Sequence, residues 1–402
     1  KVKELEYVRG NCTRATGTID SIFCRGAEHG GTLRVHLPGL EPERLALMRP
    51  PCMDGVLATG GLLQWGPWMC DCSLSLVGNV TLAPARNVAD LGEGSHPFDI
   101  FDGHEDFQSR TMFDDADWPA YRGDNLRSGA NDVMLPDEPK LLWSYQPEGP
   151  ADLTAPITAA NAVYLAGSDG AVRSIDMKKG RQNWVFHTGG AMKFPPALDR
   201  GGRLLAGSGD GYLYALDAMD GKPLWRFRVA PTDRVIPVYG QLMSTWPLAS
   251  GVLVEDGTVY CAAGISANDG TYLFGLDTET GTVKISNTTS GRLDTASGSV
   301  GVSVQGHLLL KDDRLYLAGG NVVSPAVYDI SNGECLNSPP DLSTPQGWSG
   351  KSPRGCELFV IGENVTAFDR LLYSPKRYWK GRYFSKTTAQ VQAPWATGRI
   401  IE

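Results

Sequence analysis

The sequence lacks any run of about eighteen consecutive apolar residues, so it contains no candidate transmembrane helix. It also lacks long stretches in which apolar residues recur every three or four positions, the pattern of amphipathic helices. The net charge is −8 and the sequence has no basic stripe, which argues against nucleic acid as a main partner. What is abundant is turn chemistry, with 48 glycines and 26 prolines between short β-branched and aromatic runs. This composition predicts an all-β protein of many short strands.

Several catalytic signatures are also missing. The chain has no adjacent pair of cysteines, no His-x-x-x-His spacing, no Gly-x-Ser-x-Gly turn and no phosphate-binding glycine loop. These absences remove the usual sequence evidence for a zinc protease, a serine hydrolase or a nucleotide-binding enzyme. The six histidines are therefore expected to be structural or surface residues.

Eight cysteines are present, and five of them fall within the first 72 residues. An even number with such clustering favours an oxidising, extracytoplasmic compartment. The candidates for two disulfides are Cys12, Cys52, Cys70 and Cys72. The same thiols could instead hold zinc or copper, because side chains two apart on a strand share one face, or they could stay reduced.

A repeated phrase organises the middle of the chain. AGSDGAVRSIDMKKGRQNW, at 166–184, is followed by AGSGDGYLYALDAMDGKPLW, at 206–225. Each phrase contains an Asp followed four residues later by a Gly, and this pair occurs four times. The pairs are Asp176 and Gly180, Asp217 and Gly221, Asp277 and Gly281, and Asp329 and Gly333.

Each part of the phrase has a role in a small antiparallel sheet. The Asp can accept bonds from the amides of the next turn, the Gly can take the left-handed conformation, and the Trp can cover the neighbouring sheet. A unit of about 40 to 50 residues with four short strands cannot bury both faces alone, so copies must stack. The repeat therefore predicts a β-propeller.

The phrase ALDAMDGKPLW resembles the repeat of quinoprotein-type, or PQQ-like, β-propellers. The similarity extends to DWPAYRGDNLRSG at 117–129 and to the segments 52–85 and 230–270, which look like a secreted, mostly uncharacterised group of bacterial PQQ-binding-like proteins. In the quinone-dependent dehydrogenases of this fold, a Trp and a disulfide of adjacent cysteines sandwich the quinone, and calcium is bound beside it. Because this chain has no Cys-Cys pair, the resemblance implies the fold more strongly than the chemistry.

The expected architecture is a single propeller of about seven four-stranded blades, with six to eight compatible with the pattern. Residues 1–85 supply cysteine-rich blades and residues 140–402 supply the PQQ-like blades. The opening KVKELEYV reads as an outer strand, so we expect the chain to start in the middle of a blade. Either the C-terminal segment completes that blade, or the remainder of a longer polypeptide or another chain does.

Residues 86–139 interrupt the strand rhythm with an acidic, glycine-rich and aromatic sequence. An irregular stretch of this length usually wraps a surface or has a function. Its weak calcium-ligand candidates are Asp99, Asp102 and Asp106, whose spacing does not fit an EF-hand loop.

The loops that lead into the innermost strands are expected to line the mouth of the propeller. The ligand-binding candidates in these loops are Lys193, Arg234, Tyr239, Gln241, Trp246 and Arg354. Such cationic and aromatic side chains could bind a carbohydrate or a carboxylate, or Trp246 could simply plug the channel.

Three functions remain open. The first is an extracytoplasmic scaffold or recognition module for a ligand or protein partner, without a redox cofactor. The second is a carbohydrate-active lyase or hydrolase that works at the mouth. The third is a quinone-dependent dehydrogenase, which would need PQQ and calcium.

Overall fold

The computed structural model describes residues 13–26, 31–45, 50, 55–66, 80–82, 96–102, 104–114, 116–134, 136–238, 241–265, 270–291, 293–295, 298–304, 306–318, 323–337, 357–361 and 363–368. Regular structure in these ranges consists of short strands and one 3-10 turn, His104–Asp106. The expectation of an all-β protein is therefore confirmed. Across the same ranges, no helix has the length and apolar character needed to cross a membrane.

Two small antiparallel sheets come first. The strands of the first sheet are β1 (Thr16–Gly17), β2 (Ser21–Arg25), β3 (Thr32–His36) and β4 (Glu41–Leu45), and those of the second are β5 (Val56–Thr59), β6 (Leu62–Trp65) and β7 (Val80–Leu82). Phe23, Val56 and Trp65 are buried between them. The indole of Trp65 donates to the hydroxyl of Thr32 at 2.8 Å, which joins the two sheets.

After β8 (Phe98–Ile100), three complete four-stranded sheets follow the repeated phrases. The first consists of β9 (Ile157–Ala159), β10 (Ala162–Ala166), β11 (Ala171–Asp176) and β12 (Gln182–His187), and the second of β13 (Ala197–Leu198), β14 (Arg203–Gly207), β15 (Tyr212–Asp217) and β16 (Pro223–Arg228). A hairpin of β17 (Val235–Val238) and β18 (Gln241–Ser244) comes next. The third sheet consists of β19 (Val252–Glu255), β20 (Thr258–Ala263), β21 (Tyr272–Asp277) and β22 (Val283–Asn287). Every neighbouring pair is antiparallel.

The remaining described strands continue the pattern. They are the pair β23 (Leu293–Thr295) and β24 (Gly298–Val300), the sheet β25 (Leu308–Lys311), β26 (Arg314–Leu317) and β27 (Ala326–Asp329), and the pair β28 (Glu357–Ile361) and β29 (Asn364–Phe368). The first strands of successive sheets touch, β13 with β19 and β19 with β25. First strands that converge while their sheets fan outward are the arrangement of propeller blades.

The Asp-to-Gly turns form as the sequence predicts. In each of the four turns the Gly amide donates to the Asp carbonyl at 2.8–2.9 Å, and the Gly has a φ between 65° and 77°. The Asp carboxylate also accepts from the amide two residues ahead. Only glycine takes this left-handed conformation without a steric cost.

The tryptophans of the repeat join one blade to the next. The indole of Trp184 donates to the carbonyl of Ala218 at 3.1 Å, and that of Trp225 donates to Thr278 at 3.1 Å. Trp143 makes the same bond to Met177 at 2.8 Å. The predicted role of Trp184 and Trp225 in covering a neighbouring sheet is confirmed.

The two ends of the blades are called the mouth and the base. The mouth is the end where the first strands begin, formed by loops such as 188–196, 229–234 and 245–251. The base is the opposite end, formed by turns such as 160–161, 199–202 and 256–257. Among the described residues of the predicted irregular segment 86–139, the one strand is β8, which pairs with the outer edge of β16. The chain then passes from that edge across the base.

Candidate functional site

Residues Trp118–Arg127 occupy the axis of the propeller, where the first strands converge. Trp118 and Thr158 of β9 exchange backbone hydrogen bonds, and the carbonyl of Pro119 accepts from Leu198 of β13. Farther along, the carbonyl of Asn125 accepts from Leu310 of β25. This axis segment thus joins the first strands of separate blades.

Two of its side chains project among those strands. The Asn125 amide donates to the carbonyl of Val254 in β19 at 2.7 Å. The guanidinium of Arg127 is buried and donates to the carbonyls of Leu308 and Val252 at 2.9 and 3.4 Å. A buried arginine that donates to carbonyls of two blades ties those blades together.

A compact polar cluster, the axis cluster, lies next to Arg127. The Tyr121 ring stacks on the His307 ring, with centroids 4.1 Å apart, and Phe194 meets the same imidazole edge-on at 4.7 Å. Both carboxylate oxygens of Glu357 accept from the Tyr121 hydroxyl at 3.1 Å. Nε2 of His307 lies 2.9 Å from Oε1 of Glu357, but the contact does not have the geometry of a hydrogen bond. The cluster links the axis segment with β28.

Arg122 adds a second positive charge. Its guanidinium lies 3.9 Å from the Glu357 carboxylate and stacks over the Phe359 ring at 4.9 Å. Both partners belong to β28. The Glu357 carboxylate is therefore the charged group of β28 that contacts the axis segment.

Burial and the neighbouring charges set the ionisation of the axis cluster. Burial lowers the pKa of His307 and, together with the cations Arg127 and Arg122, outweighs the opposing effect of Glu357, so the imidazole is neutral at neutral pH. Burial opposes ionisation of Glu357, but His307, Tyr121 and Arg122 outweigh it and hold the pKa of the carboxyl below its usual value. Burial lowers the pKa of Arg127 to about 10, which leaves it protonated.

Two cavities of about 550 and 540 Å3 flank the axis segment at the base. Phe113, Pro119, Gly123, Asp124 and Arg200 line both of them. Their acidic lining residues are Asp114, Asp117, Asp124, Asp132, Asp199, Glu255, Asp256, Asp277 and Glu279, and their basic ones are Arg200 and Arg203. Much of the predicted acidity of segment 86–139 therefore faces the base, where the field favours cations over anions.

At the mouth, the structure brings two of the predicted ligand-binding residues together. The Arg234 guanidinium lies 4.5 Å from the ring centre of Trp246 and donates to the hydroxyl of Thr245 at 3.1 Å. Trp246 is 7% exposed and meets Tyr272 edge-on at 6.3 Å. Its ring is part of the core between two blades.

The other mouth candidates are spread out. Lys193 is exposed beside the buried Phe194, and Gln241 is exposed at the tip of the β17–β18 hairpin. Tyr239 and Arg354 lie outside the described residues. A shared ligand site for this set stays a prediction.

The calcium candidates do not converge. Asp99 forms an ion pair with Arg226 at 2.7 Å, while Asp102 and Asp106 are exposed. In the part of the chain that the structure describes, no three His, Cys, Asp or Glu side chains are grouped as metal ligands.

The disulfide candidates Cys12, Cys52, Cys70 and Cys72 fall outside the described residues, so their pairing stays a prediction. Cys261 and Cys335 are free thiols. Burial raises the pKa of both, which keeps them protonated and unreactive.

The sequence pattern does not reveal the axis cluster. His307, Tyr121 and Glu357 are far apart along the chain, and the six histidines carried no pairing signal. The segment DWPAYRGDNLRSG had been noted only for its family resemblance. Its mixture of aromatic, charged and glycine residues outside the strand rhythm was the one available sign that it fills a specific place.

The chain is similar to known proteins in sequence and in fold. Residues 189–349 match the sequence model of a family described as outer membrane protein assembly factor BamB. A curated protein of that name from Nitrosomonas eutropha (strain DSM 101675 / C91 / Nm57) is 28% identical over 200 residues, which cover 50% of this chain and 42% of that protein. The chain thus spans less than half the length of this relative.

Two solved structures are similar at low identity. Quinohemoprotein alcohol dehydrogenase from Comamonas testosteroni is 18% identical with a TM-score of 0.45, over 62% of this chain and 45% of that one. BamB from Moraxella catarrhalis is 16% identical with a TM-score of 0.37, over 90% of this chain and 84% of that one. The four Asp-to-Gly turns and the tryptophans between blades show a PQQ-like β-propeller fold, and residues 189–349 are similar to the matched family.

Proposed function

We propose that the chain is an extracytoplasmic β-propeller that acts as a scaffold or partner-recognition module and uses no redox cofactor. The observation that carries this proposal is the filled axis. Tyr121, Arg127, His307 and Glu357 pack between the first strands, where a channel would otherwise offer a ligand site. A partner would then bind the outer surfaces of the blades or the loops.

The residues present do not fit a bound quinone. The complete sequence has no adjacent cysteines, which the resemblance to the dehydrogenases would require. The ring of Trp246 is covered by the Arg234 guanidinium and is buried in the core, so its faces are not offered to a second planar ring. No step through a quinone is derived for this chain.

The matched family model and the curated relative both carry the name of an outer membrane protein assembly factor. Applied to this chain, that name supports a protein partner in the assembly of outer membrane proteins. The clustered cysteines independently favour a compartment outside the cytoplasm.

The β17–β18 hairpin is the surface we assign to the partner. It is inserted between two blades and is not part of the repeat. Val235 and Leu242 are 44% and 59% exposed on it, at the mouth. Exposed apolar side chains on a hairpin at the mouth are suited to a protein interface.

Site-specific photo-crosslinking in intact cells tests the proposal. A crosslinker at Leu242 is expected to capture one discrete protein of outer membrane assembly. The matched control is Lys179, which is exposed at the base and should capture nothing discrete. Equal capture at both positions, or none at Leu242, would contradict the assignment.

A further inference from the structure

The axis segment is attached unequally to the blades around it. To β9, β13 and β25 it is joined by backbone hydrogen bonds, and to β19 by the Asn125 amide. To β28, among the described residues, it is joined through side chains: Tyr121 and Arg122 to Glu357, and Arg122 to Phe359. The junction with β28 therefore depends on the charge state of a few groups.

The charges at this junction are balanced only while His307 is neutral. Arg122 and Arg127 carry two positive charges, and Glu357 together with Asp124, which acts on Arg127, carries two negative ones. His307 is 4% exposed, so water cannot screen a further charge there. Although Glu357 lies 2.9 Å away, a proton on His307 leaves this buried site with one more positive charge than negative charges.

His307 is enclosed by groups from several elements. Tyr121, Arg122 and Arg127 face it from the axis segment, Glu357 from β28, and Phe194 from the loop before β13. Glu357 is the one anion among them, and it is already shared with Tyr121 and Arg122. The carboxylate cannot offset a charged imidazole without giving up part of its bond to the axis segment.

We propose that the axis cluster is an acid-sensitive latch, in which uptake of one proton by His307 in mildly acidic surroundings releases β28–β29 from the axis segment. The other four blades stay joined through their backbone and amide bonds. Opening would expose the buried faces of Tyr121 and Phe359 at the axis. A module outside the cytoplasm would thereby respond to the acidity of its medium.

Hydrogen exchange of the full chain, measured by mass spectrometry between pH 5.0 and 7.5 and corrected for intrinsic rates, tests the latch. Peptides covering residues 119–127 and 357–361 are the probes. Because opening is coupled to one proton, the opening constant should rise about tenfold for each pH unit below about 6.5. In His307→Gln this slope should disappear.

His36→Gln is the matched control, because His36 pairs with Glu43 on an exposed surface and should leave the slope unchanged. In Glu357→Gln both probes should exchange fast even at pH 7.5. A slope that persists in His307→Gln would overturn the latch. So would acid-induced exchange that begins in β9–β12, away from the cluster.

A nuclear magnetic resonance titration of the His307 ring in the wild-type chain gives a second readout that needs no variant. The inflection is expected below pH 6.5, at the pH where the rise in exchange levels off. An inflection at or above 6.5 would show that the buried site does not resist the proton, and the proposal would fail.

Discussion

At Gly221, φ is 76°, and a Cβ atom built there would lie 2.6 Å from the indole ring of Trp184. Two separate constraints act at this position, the left-handed backbone and the ring that bridges the blades. Gly257 shares only the first, since its φ is 67° and nothing lies within 4 Å of an added Cβ. The pair of glycines therefore separates the backbone cost from the packing cost.

Gly221→Ala should lower the free energy of unfolding more than Gly257→Ala does. Both variants lose roughly 1–2 kcal/mol to the left-handed conformation. Gly221→Ala should lose about 1–3 kcal/mol more, because the methyl group displaces the Trp184 ring. Urea denaturation of both variants measures the difference, and equal losses would mean that the ring does not hold the turn.

Asp277 gives the turns a measurable pH dependence. Burial opposes ionisation, but Thr280 and the Lys284 ammonium outweigh it and lower the pKa of Asp277 from 3.8 to about 2. Since the folded pKa is below the unfolded one, the carboxylate stabilises the fold above about pH 4. That stabilisation is lost as the pH falls towards 2.

Asp277→Asn should lower the free energy of unfolding by about 1–2 kcal/mol at pH 7, a value reduced for the partial exposure of the pair. Denaturant unfolding at pH 7, 4 and 3 should show this difference shrinking with acidity. Asp220→Asn is the control, because its pair with Lys222 is exposed and should be worth under about 1 kcal/mol. A pH-independent difference for Asp277→Asn would contradict the account.

At the scale of one element, β8 shows how a segment outside the repeat is held on a blade. The amide of Phe101 donates to Leu224 at 3.0 Å, and the amide of Arg228 donates to Pro97 at 2.9 Å. The Asp99–Arg226 pair is more than a third exposed on both sides, so it contributes little. The backbone bonds and the packing of Phe98 on Trp225 hold the strand.

Phe101→Pro removes the backbone N–H that donates to the Leu224 carbonyl, so β8 should be released from β16. Hydrogen exchange at Arg228 should then become faster, while the amides of β14 and β15 stay protected. Phe101→Ala keeps the amide and should leave exchange at Arg228 close to the wild-type rate. If both variants behave alike, the side chain rather than the backbone fixes the strand.

The sequence predicted the repeated elements well because their information is local. Asp176 and Gly180 lie within one turn, and Trp184 follows four residues later, so the spacing alone identifies the unit. The pairing of β8 with β16 joins residues more than a hundred positions apart. Its short run Phe-Asp-Ile has no periodicity that could reveal such a partner.

For the whole molecule, the propeller could be predicted but the content of its axis could not. Stacking of repeats follows from the need to bury both faces of each sheet. Which side chains fill the space between first strands depends on non-local contacts, as between Tyr121, His307 and Glu357. Arg234 and Trp246 were both predicted to line the mouth; they are in contact, with Trp246 in the core, and a shared ligand site stays a prediction.

The filled axis supports the proposed recognition role over redox chemistry. Its polar groups bond to one another between blades, and its exposed features are the β17–β18 hairpin and the acidic base. Partners that bind such surfaces leave the interior unchanged. The central claim of the proposed function is therefore that the chain binds no quinone.

Native mass spectrometry of the full chain, after incubation with PQQ and calcium and removal of unbound ligand, tests that claim most directly. We predict the mass of the polypeptide alone and unchanged fluorescence from Trp246 relative to a Trp246→Phe reference. Retention of one quinone and one calcium ion per chain, with quenching of Trp246, would contradict the account.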